Sequence, residues 1–545
     1  MKKRRTGVLL GGSLLLLLLL TGIYVYDIYL DVRIPVPYTE RVMGIPVVDN
    51  LDFLTGKESR CAQTNPGVLF QQIQLPYAAD GTLYLAQDPA VTEWVGEFST
   101  TSRNTFLCML PDAAWQDKAA CIRENHAFEL YLVEDKVYYP LRLVVCGMPV
   151  ISITTDREEE QDLGDYETDP DRYYFDPEIL YFGHIQIFDP INRAAGGTRY
   201  QILEAGVRYY PRGASSARFD KKSYGISLLD AKGAKLDEAL LGMRSDNSWK
   251  LNAMVVDTSR LREKTASQIW EQFSQSNEEV NETGPRIEYA ELLLDGAYAG
   301  LYELVEPVDA KKLKLDKNDV LYKITAWDTP DDEDIQYAID HKWRIMSFHR
   351  IRYPEPVTDY EKAWYPLRDY LNTFYRADRE AQGADRKVYL SNAVDMLLFN
   401  MAVSGSDNWY KNLYFAADVD ESGTYRMRQI PWDLDLTFGE MNEGIFNPDE
   451  TVIYEEAAVP FLIRQDPEKV RPYLQTRWRE ARETFLSNDS LYELIHRNQD
   501  TLIQAGAITR EQERWPQYGM TTDISDMEEL LWRRMEWLDE YFEAY

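Results

Sequence analysis

Histidine, cysteine and positive charge are all scarce in this sequence. Five histidines are spread over 545 residues without a His-Glu-x-x-His, and no Gly-x-Ser-x-Gly occurs, so neither a zinc hydrolase nor a serine hydrolase is signalled. The four cysteines lie between Cys61 and Cys146 with no Cys-x-x-Cys, which speaks against a zinc knuckle. Lysine and arginine number 59 against 91 acidic residues, and a net charge of −32 repels nucleic acid. Apolar material is plentiful: 45% hydrophobic and 13% aromatic residues supply packed cores for more than one domain and exclude a disordered chain.

One long apolar run is present. Lys2, Lys3, Arg4 and Arg5 precede residues 7–26, which are uncharged and leucine-rich. As a helix this run spans about 30 Å, the hydrocarbon thickness of a bilayer. The basic cluster stays cytoplasmic, so residues 1–26 are expected to be a single-pass anchor at the cell membrane, with the rest of the chain extracytoplasmic. A cleaved signal peptide is the alternative. Outside the cell, Cys61, Cys108, Cys121 and Cys146 read as two disulfides whose pairing the spacing does not set, the alternative being four buried thiols. Residues 27–147 form a cysteine-containing region with strands expected at 83–86, 129–133 and 136–145.

From residue 148 strands are expected at 150–154, 184–188, 199–207 and 224–229, then a helix over 258–273 capped by Asp257 or Thr258. Further strands at 287–294 and 299–305 flank the hairpin dipeptide Asp295-Gly296, and another lies at 320–324. Beyond residue 353 helical periodicity dominates, over 360–375, 388–404, 455–465, 467–485, 490–505 and 524–542. The expected fold is α+β and two-lobed: a small β-rich lobe with one packed helix (148–353), then a larger, mainly helical lobe (354–545).

The second lobe is interrupted by residues 406–439. Asp407 and Asn412 form an Asp-x-x-x-x-Asn pair, followed by β-like runs at 413–417 and 424–430 around a turn at 418–423, and then by Asp433 and Asp435. A hairpin returns the chain to its start and brings Asn412 and Asp433 together. Two oxygen ligands with a nearby carboxylate suit Mg²⁺, which fills its shell with water and phosphate oxygens. Asp435 shares the alternation phase of Asp433 and is a further candidate ligand. The same residues also suit a capped helix end running into a turn. The order resembles the catalytic core of protein kinases, where an Asp takes the acceptor proton and a later Asn and Asp hold metal.

The β-rich lobe carries a second constellation. Arg212, Gly213, Ala214, Ser215 and Ser216 form a small-residue turn whose N–H groups and hydroxyls suit phosphate oxygens, with Arg212 adding a fork of donors. In the strand that follows, Lys222 shares the apolar face of Tyr224, Ile226 and Leu228, so Lys222 rather than Lys221 is expected to turn inward.

The blocks RGASS…KKSYGISL, LLGMRSDNSWKLNAMVVDTSRLRE, GAYAGLYELVEPVDA, SDNWYKN and IPWDLDLTFG occur in that order. They resemble the signature blocks of the spore coat protein H (CotH) family of atypical protein kinases, over about residues 148–545. The resemblance implies a reduced kinase-like fold and transfer of the γ-phosphate of ATP to Ser or Thr of proteins, with Mg²⁺ or Mn²⁺. It implies Asp407 as catalytic base, Asn412 and Asp433 as metal ligands, and Lys222 with Arg212 on the phosphates. It also implies Glu263 as the lysine's carboxylate partner and places Glu306 where the nucleotide sits between lobes. The expected partners are a protein substrate of the cell envelope or coat and, through residues 7–26, the membrane. The alternative is a catalytically weak scaffold at the cell surface that keeps the fold for binding.

Overall fold

The structure is a computed structural model, which describes residues 36–191, 200–213, 215–281, 284–376, 382–442 and 445–544. The chain forms two compact units, Met1–Cys146 and Gly147–Tyr545. The expected anchor, residues 7–26, lies outside the described residues; among those described, no helix is long and apolar enough to cross a membrane.

In the first unit, strand Val137–Cys146 pairs antiparallel with Ala127–Val133 and parallel with Thr82–Ala86. Leu83, Leu85, Phe128, Leu130, Leu132, Leu141 and Leu143 alternate into its core. The two expected disulfides are not formed, because Cys61, Cys108 and Cys121 are free thiols. Cys108 is enclosed in a strand and Cys121 in a helix, where burial pushes each thiol up to about 12, whereas Cys61 is exposed.

The second unit is built around a closed barrel. Its strands are β1 (Val150–Glu160), β2 (Ile179–Asp189), β3 (Gln201–Arg212), β4 (Ser223–Leu229), β5 (Ser248–Asn252), β6 (Ile287–Leu294) and β7 (Ala297–Val305). They run in the order β1-β2-β3-β4-β5-β7-β6, and a parallel pairing of β6 with β1 closes the ring. The period-two alternation fills the interior: Ile151 and Ile153, Ile185 and Ile187, Ile226 and Leu228, Trp249 and Leu251, Tyr302 and Leu304 form one core. Asp295 and Gly296, at φ 50° and 70°, make the tight β6–β7 turn.

Helix α1 (Arg262–Gln275) buries Ala266, Ile269, Trp270 and Phe273 against α3 (Leu390–Val403), with Trp270 and Phe399 in edge contact at 5.4 Å. It has no side-chain cap at Leu261; instead the Asp257 carboxylate reaches forward to accept the Arg262 N–H at 2.8 Å. A second sheet runs β9 (Ile345–Met346), β10 (His349–Tyr353), β8 (Val320–Ile324), β11 (Leu413–Val419), β12 (Tyr425–Pro431). Around it lie α2 (Tyr360–Leu371), α4 (Ala458–Gln465), α5 (Pro467–Arg482), α6 (Asn488–Gln504), α7 (Ala507–Arg514) and α8 (Ser525–Ala544).

This arrangement overturns the expected two-lobed, kinase-like division into a small sheet lobe and a mainly helical lobe. The fold is mixed α+β, with a seven-stranded barrel and a five-stranded sheet that draws strands from both sides of residue 353. Helix α7, from the far end of the chain, lies on the barrel: Glu511 accepts the Leu301 N–H of β7 at 2.9 Å. Strands and helices interlock because backbone pairing joins segments that are distant in sequence, which local periodicity does not register.

Candidate active site

The site begins at the open end of the β11–β12 hairpin. Leu413 pairs with Pro431, and the Trp432 N–H donates to the Asn412 carbonyl at 3.0 Å, so Asn412 and Asp433 face each other just beyond the last rung. Both adopt left-handed backbone, φ 55° and 62°. Asn and Asp tolerate this conformation best among residues with side chains, at about 1 kcal/mol each. The turn is locked from below: Asn408 Nδ2 donates to the Trp432 carbonyl at 2.8 Å, and Asn400 Nδ2 donates to the Asn408 carbonyl at 3.0 Å. Trp432 and Leu434 are buried, while Asp433 and Asp435 alternate into a cleft of about 680 Å³. Asp407 faces the same cleft, its Oδ2 accepting from Lys411 Nζ at 2.6 Å and Asn412 Nδ2 at 2.9 Å.

The opposite wall is the outer surface of the barrel. Because Tyr302 and Leu304 point inward, Glu303 points outward beneath α1, fully enclosed beside Glu263. Burial, then Asp257 and Asp435, push the Glu303 carboxyl up to about 8. No fixed donor reaches its oxygens; a proton shared with Glu263 is the donor at hand. Glu263 is raised well above its usual range by burial, then by Glu303 and Asp433, and Asp435 likewise by burial, then Asp433 and Glu263. Burial raises Asp407 too, with Asp433 adding and Lys411 opposing. Carboxylates this close repel one another, and a cation among them relieves that repulsion.

Basic groups meet them. Arg212 Nη1 donates to Asn252 Oδ1 at 2.6 Å, and Asn252 Nδ2 donates to the Glu263 carboxylate at 3.0 and 3.1 Å. Lys323 of β8 lines the cleft; burial, then Arg212, bring its ammonium down to about 7. Gly213, at φ 114°, lets the turn close on Ser216, whose Oγ would lie 2.1 Å from an added Cβ.

Asp407, Asn412, Asp433, Asp435, Arg212, Ser216 and Glu263 therefore share one cleft. The main chain of Ser215 joins a short 3₁₀ turn, Ser215–Arg218, while its side chain lies outside the described residues. Lys222 is a correction: its Nζ donates to the Ala217 carbonyl at 2.7 Å on the exposed rim. Lys221 is the buried lysine, donating to Glu511 Oε1 and the Leu301 carbonyl, each at 2.6 Å. The apolar face of β4 fills the barrel interior, so the chemistry collects on its outer face, with Ser223, Asn252 and Glu303. Glu263 accordingly meets Asn252 instead of Lys222. Glu306 is also displaced: it accepts the Arg244 N–H at 3.0 Å and pairs with Lys312, away from the cleft.

Sequence reasoning missed Glu303, Asn252 and Lys323. The signal for two of them was a charge in mid-strand, as in Leu-Tyr-Glu-Leu-Val and Val-Leu-Tyr-Lys-Ile. Among the described residues no three carboxylate, histidine or cysteine side chains gather into a ready-made metal cluster. The donor set Asn412, Asp433 and Asp435 still fits Mg²⁺, which keeps most of its shell for water and phosphate.

A family model described as CotH kinase protein matches residues 209–538, from β3 into α8. A search of curated proteins finds no match. Since the match spans more than half of a chain whose cleft carries this ordered set of groups, the protein belongs to the CotH kinase protein family.

Proposed function

We propose that this kinase-like protein transfers the γ-phosphate of ATP to serine or threonine hydroxyls of cell-envelope or coat proteins. The observation that carries the reading is the meeting of Asp407, Asn412 and Asp433 with Arg212 in one cleft. In this reading Asp407 orients the acceptor hydroxyl and takes its proton; its raised carboxyl brings it nearer the proton affinity a base needs. Lys411 and Asn412 fix its rotamer. Arg212, held by Asn252 and through it by Glu263, presents its planar fork to phosphate oxygens. Asn412, Asp433 and Asp435 would hold Mg²⁺ or Mn²⁺, which when bound neutralises phosphate charge. The basic cluster at Lys2–Arg5 and the apolar residues 7–26 support a single-pass location with the catalytic unit outside the membrane.

The purified protein is to be incubated with γ-labelled ATP and Mg²⁺ or Mn²⁺, alone and with envelope fractions. Label on serine or threonine of the protein itself or of an envelope protein is expected, and it is lost in Asp407→Asn. Absence of label with both metals overturns the assignment in favour of a binding scaffold.

A further inference from the structure

Two exposed aromatic side chains are tied to the loop that carries Asp407. Phe348 lines the cleft and is 44% exposed, with the Tyr174 ring, also on the cleft wall, 5.3 Å away. With Ser347 it makes the two-residue turn between β9 and β10, where both residues adopt left-handed backbone, φ 46° and 59°. Such turns favour Asn-Gly, and a phenylalanine there is strained. Its carbonyl accepts the Thr325 N–H at 3.2 Å, and Trp327, two residues further on, is 40% exposed.

Both rings connect to consecutive residues of one loop. Trp327 packs on Trp409 with ring centres 4.7 Å apart. Behind Phe348, His349 Nδ1 bonds the Ser347 carbonyl at 2.8 Å and Nε2 bonds the Tyr410 hydroxyl at 2.6 Å. The carbonyl only accepts, so Nδ1 carries the proton and Nε2 accepts from Tyr410. Burial brings the His349 imidazole down to about 4, so the bond keeps this direction at neutral pH. His349 and Tyr410 are buried and do not line the cleft, whereas Asp407, Lys411 and Asn412 do.

A phenylalanine that served packing would be enclosed, as Phe415 is. Phe348 instead holds a strained backbone while its ring faces water beside Asp407, and strain of this kind gathers where a molecule meets its ligand. An apolar side chain laid on these rings would be taken out of water. Resting on the phosphotransferase reading of Asp407, we propose that Phe348 and Trp327 are specificity-determining residues for the acceptor. They form a shelf for an apolar or aromatic side chain next to the serine or threonine of an extended protein segment. His349 and Tyr410 are positioning residues that keep the shelf in register with Asp407.

The test uses two synthetic peptides that differ only in the residues on either side of a single serine, Phe in one and Gly in the other. Their binding to the full chain is measured by calorimetry, beside ATP binding with Mg²⁺, a thermal melt and the transfer assay. The wild type is expected to bind the Phe-flanked peptide about fivefold tighter or more. Phe348→Gly removes that preference, leaves ATP affinity within about twofold, and leaves Tm equal or higher, because glycine accepts the left-handed turn. Tyr410→Phe, which deletes only the hydroxyl, weakens the Phe-flanked peptide about fivefold without weakening ATP, and His349→Gln, which still offers Tyr410 an acceptor, keeps the preference. The proposal is overturned if the wild type binds the peptides equally or not at all, or if Phe348→Gly keeps the preference. A fall in Tm of several degrees in Phe348→Gly overturns it too, since that marks a structural ring. Loss of ATP affinity in parallel with peptide affinity in Tyr410→Phe removes the positioning role. Preference for the Phe-flanked peptide without transfer of label supports the shelf and removes the transferase reading; equal binding and labelling of both peptides does the reverse.

Discussion

Asp407 and Asp433 line the same cleft, yet their surroundings separate their tasks. Asp407 is pinned through one oxygen by Lys411 and Asn412, whereas Asp433 sits at the strained end of the hairpin beside Asn412. Asp407→Asn is expected to lower phosphoryl transfer by about 10²–10⁴ while leaving nucleotide affinity nearly intact. Asp433→Asn should lower metal-dependent ATP binding along with turnover, which calorimetry beside a transfer assay checks. If Asp435→Asn abolishes that binding and Asp433→Asn spares it, the ligand role belongs to Asp435. Glu303 makes a pH prediction. Its carboxyl ordinarily titrates near 4.5 and in the fold near 8, so the folded state holds an extra proton between those values. That stability is fully present below about pH 4.5 and is lost as pH rises through about 8. In chelator, Tm should fall between roughly pH 5 and 9, and Glu303→Gln should flatten the slope; a slope unchanged by the substitution refutes the assignment.

Helix α7 illustrates what an element contributes from a distance. Its Glu511 takes the Lys221 ammonium, the Arg260 guanidinium at 3.4 Å and the Leu301 N–H, all out of water. Gly300, at φ 111°, makes room for it: an added Cβ would lie 2.5 Å from Glu511 Oε2. Lys221→Ala leaves a buried carboxylate short of its closest cation, so a loss of about 3–5 kcal/mol is expected by chemical denaturation. Lys221→Ala at wild-type stability would place the anchoring elsewhere. None of this contact was legible in the sequence, because Lys221 and Glu511 are 290 residues apart. The hairpins were legible, since Asp295-Gly296 and residues 418–423 are local turn signals. The face of β4 was misread for a physical reason: in a barrel the apolar side, with Ile226 and Leu228, faces the closed interior, and the polar side, with Ser223, faces the cleft.

For the whole molecule, composition exposed the absence of hydrolase motifs and the ordered acidic blocks, but not the barrel closure or the sheet shared across residue 353. Both depend on pairings between distant segments. Composition also suggested disulfides that the structure does not contain. With Cys61 exposed and Cys108 and Cys121 enclosed, one equivalent of an alkylating reagent is expected on Cys61 in the native state, with Cys108 and Cys121 reacting only on unfolding. Reductant should leave Tm unchanged, and a fall of several degrees would show that a bridge carries stability after all.

Strand β8 lies between β10 and β11, so one of its two edges finds its partner only when residues 413–419 arrive. On the ribosome, the growing chain therefore carries β8 with one edge bare while the whole stretch from β10 to the hairpin is still being made. Leu321, Tyr322 and Ile324, all buried in the finished sheet, stay exposed for that interval beside unpaired backbone groups. The pairing that covers this edge is the same one that carries Asn412 and Asp433 into place. The two strands that reach this sheet last, β11 and β12, thus cover the bare edge and set Asn412 beside Asp433 in a single step, before any of the helices from Ala458 onward has been made.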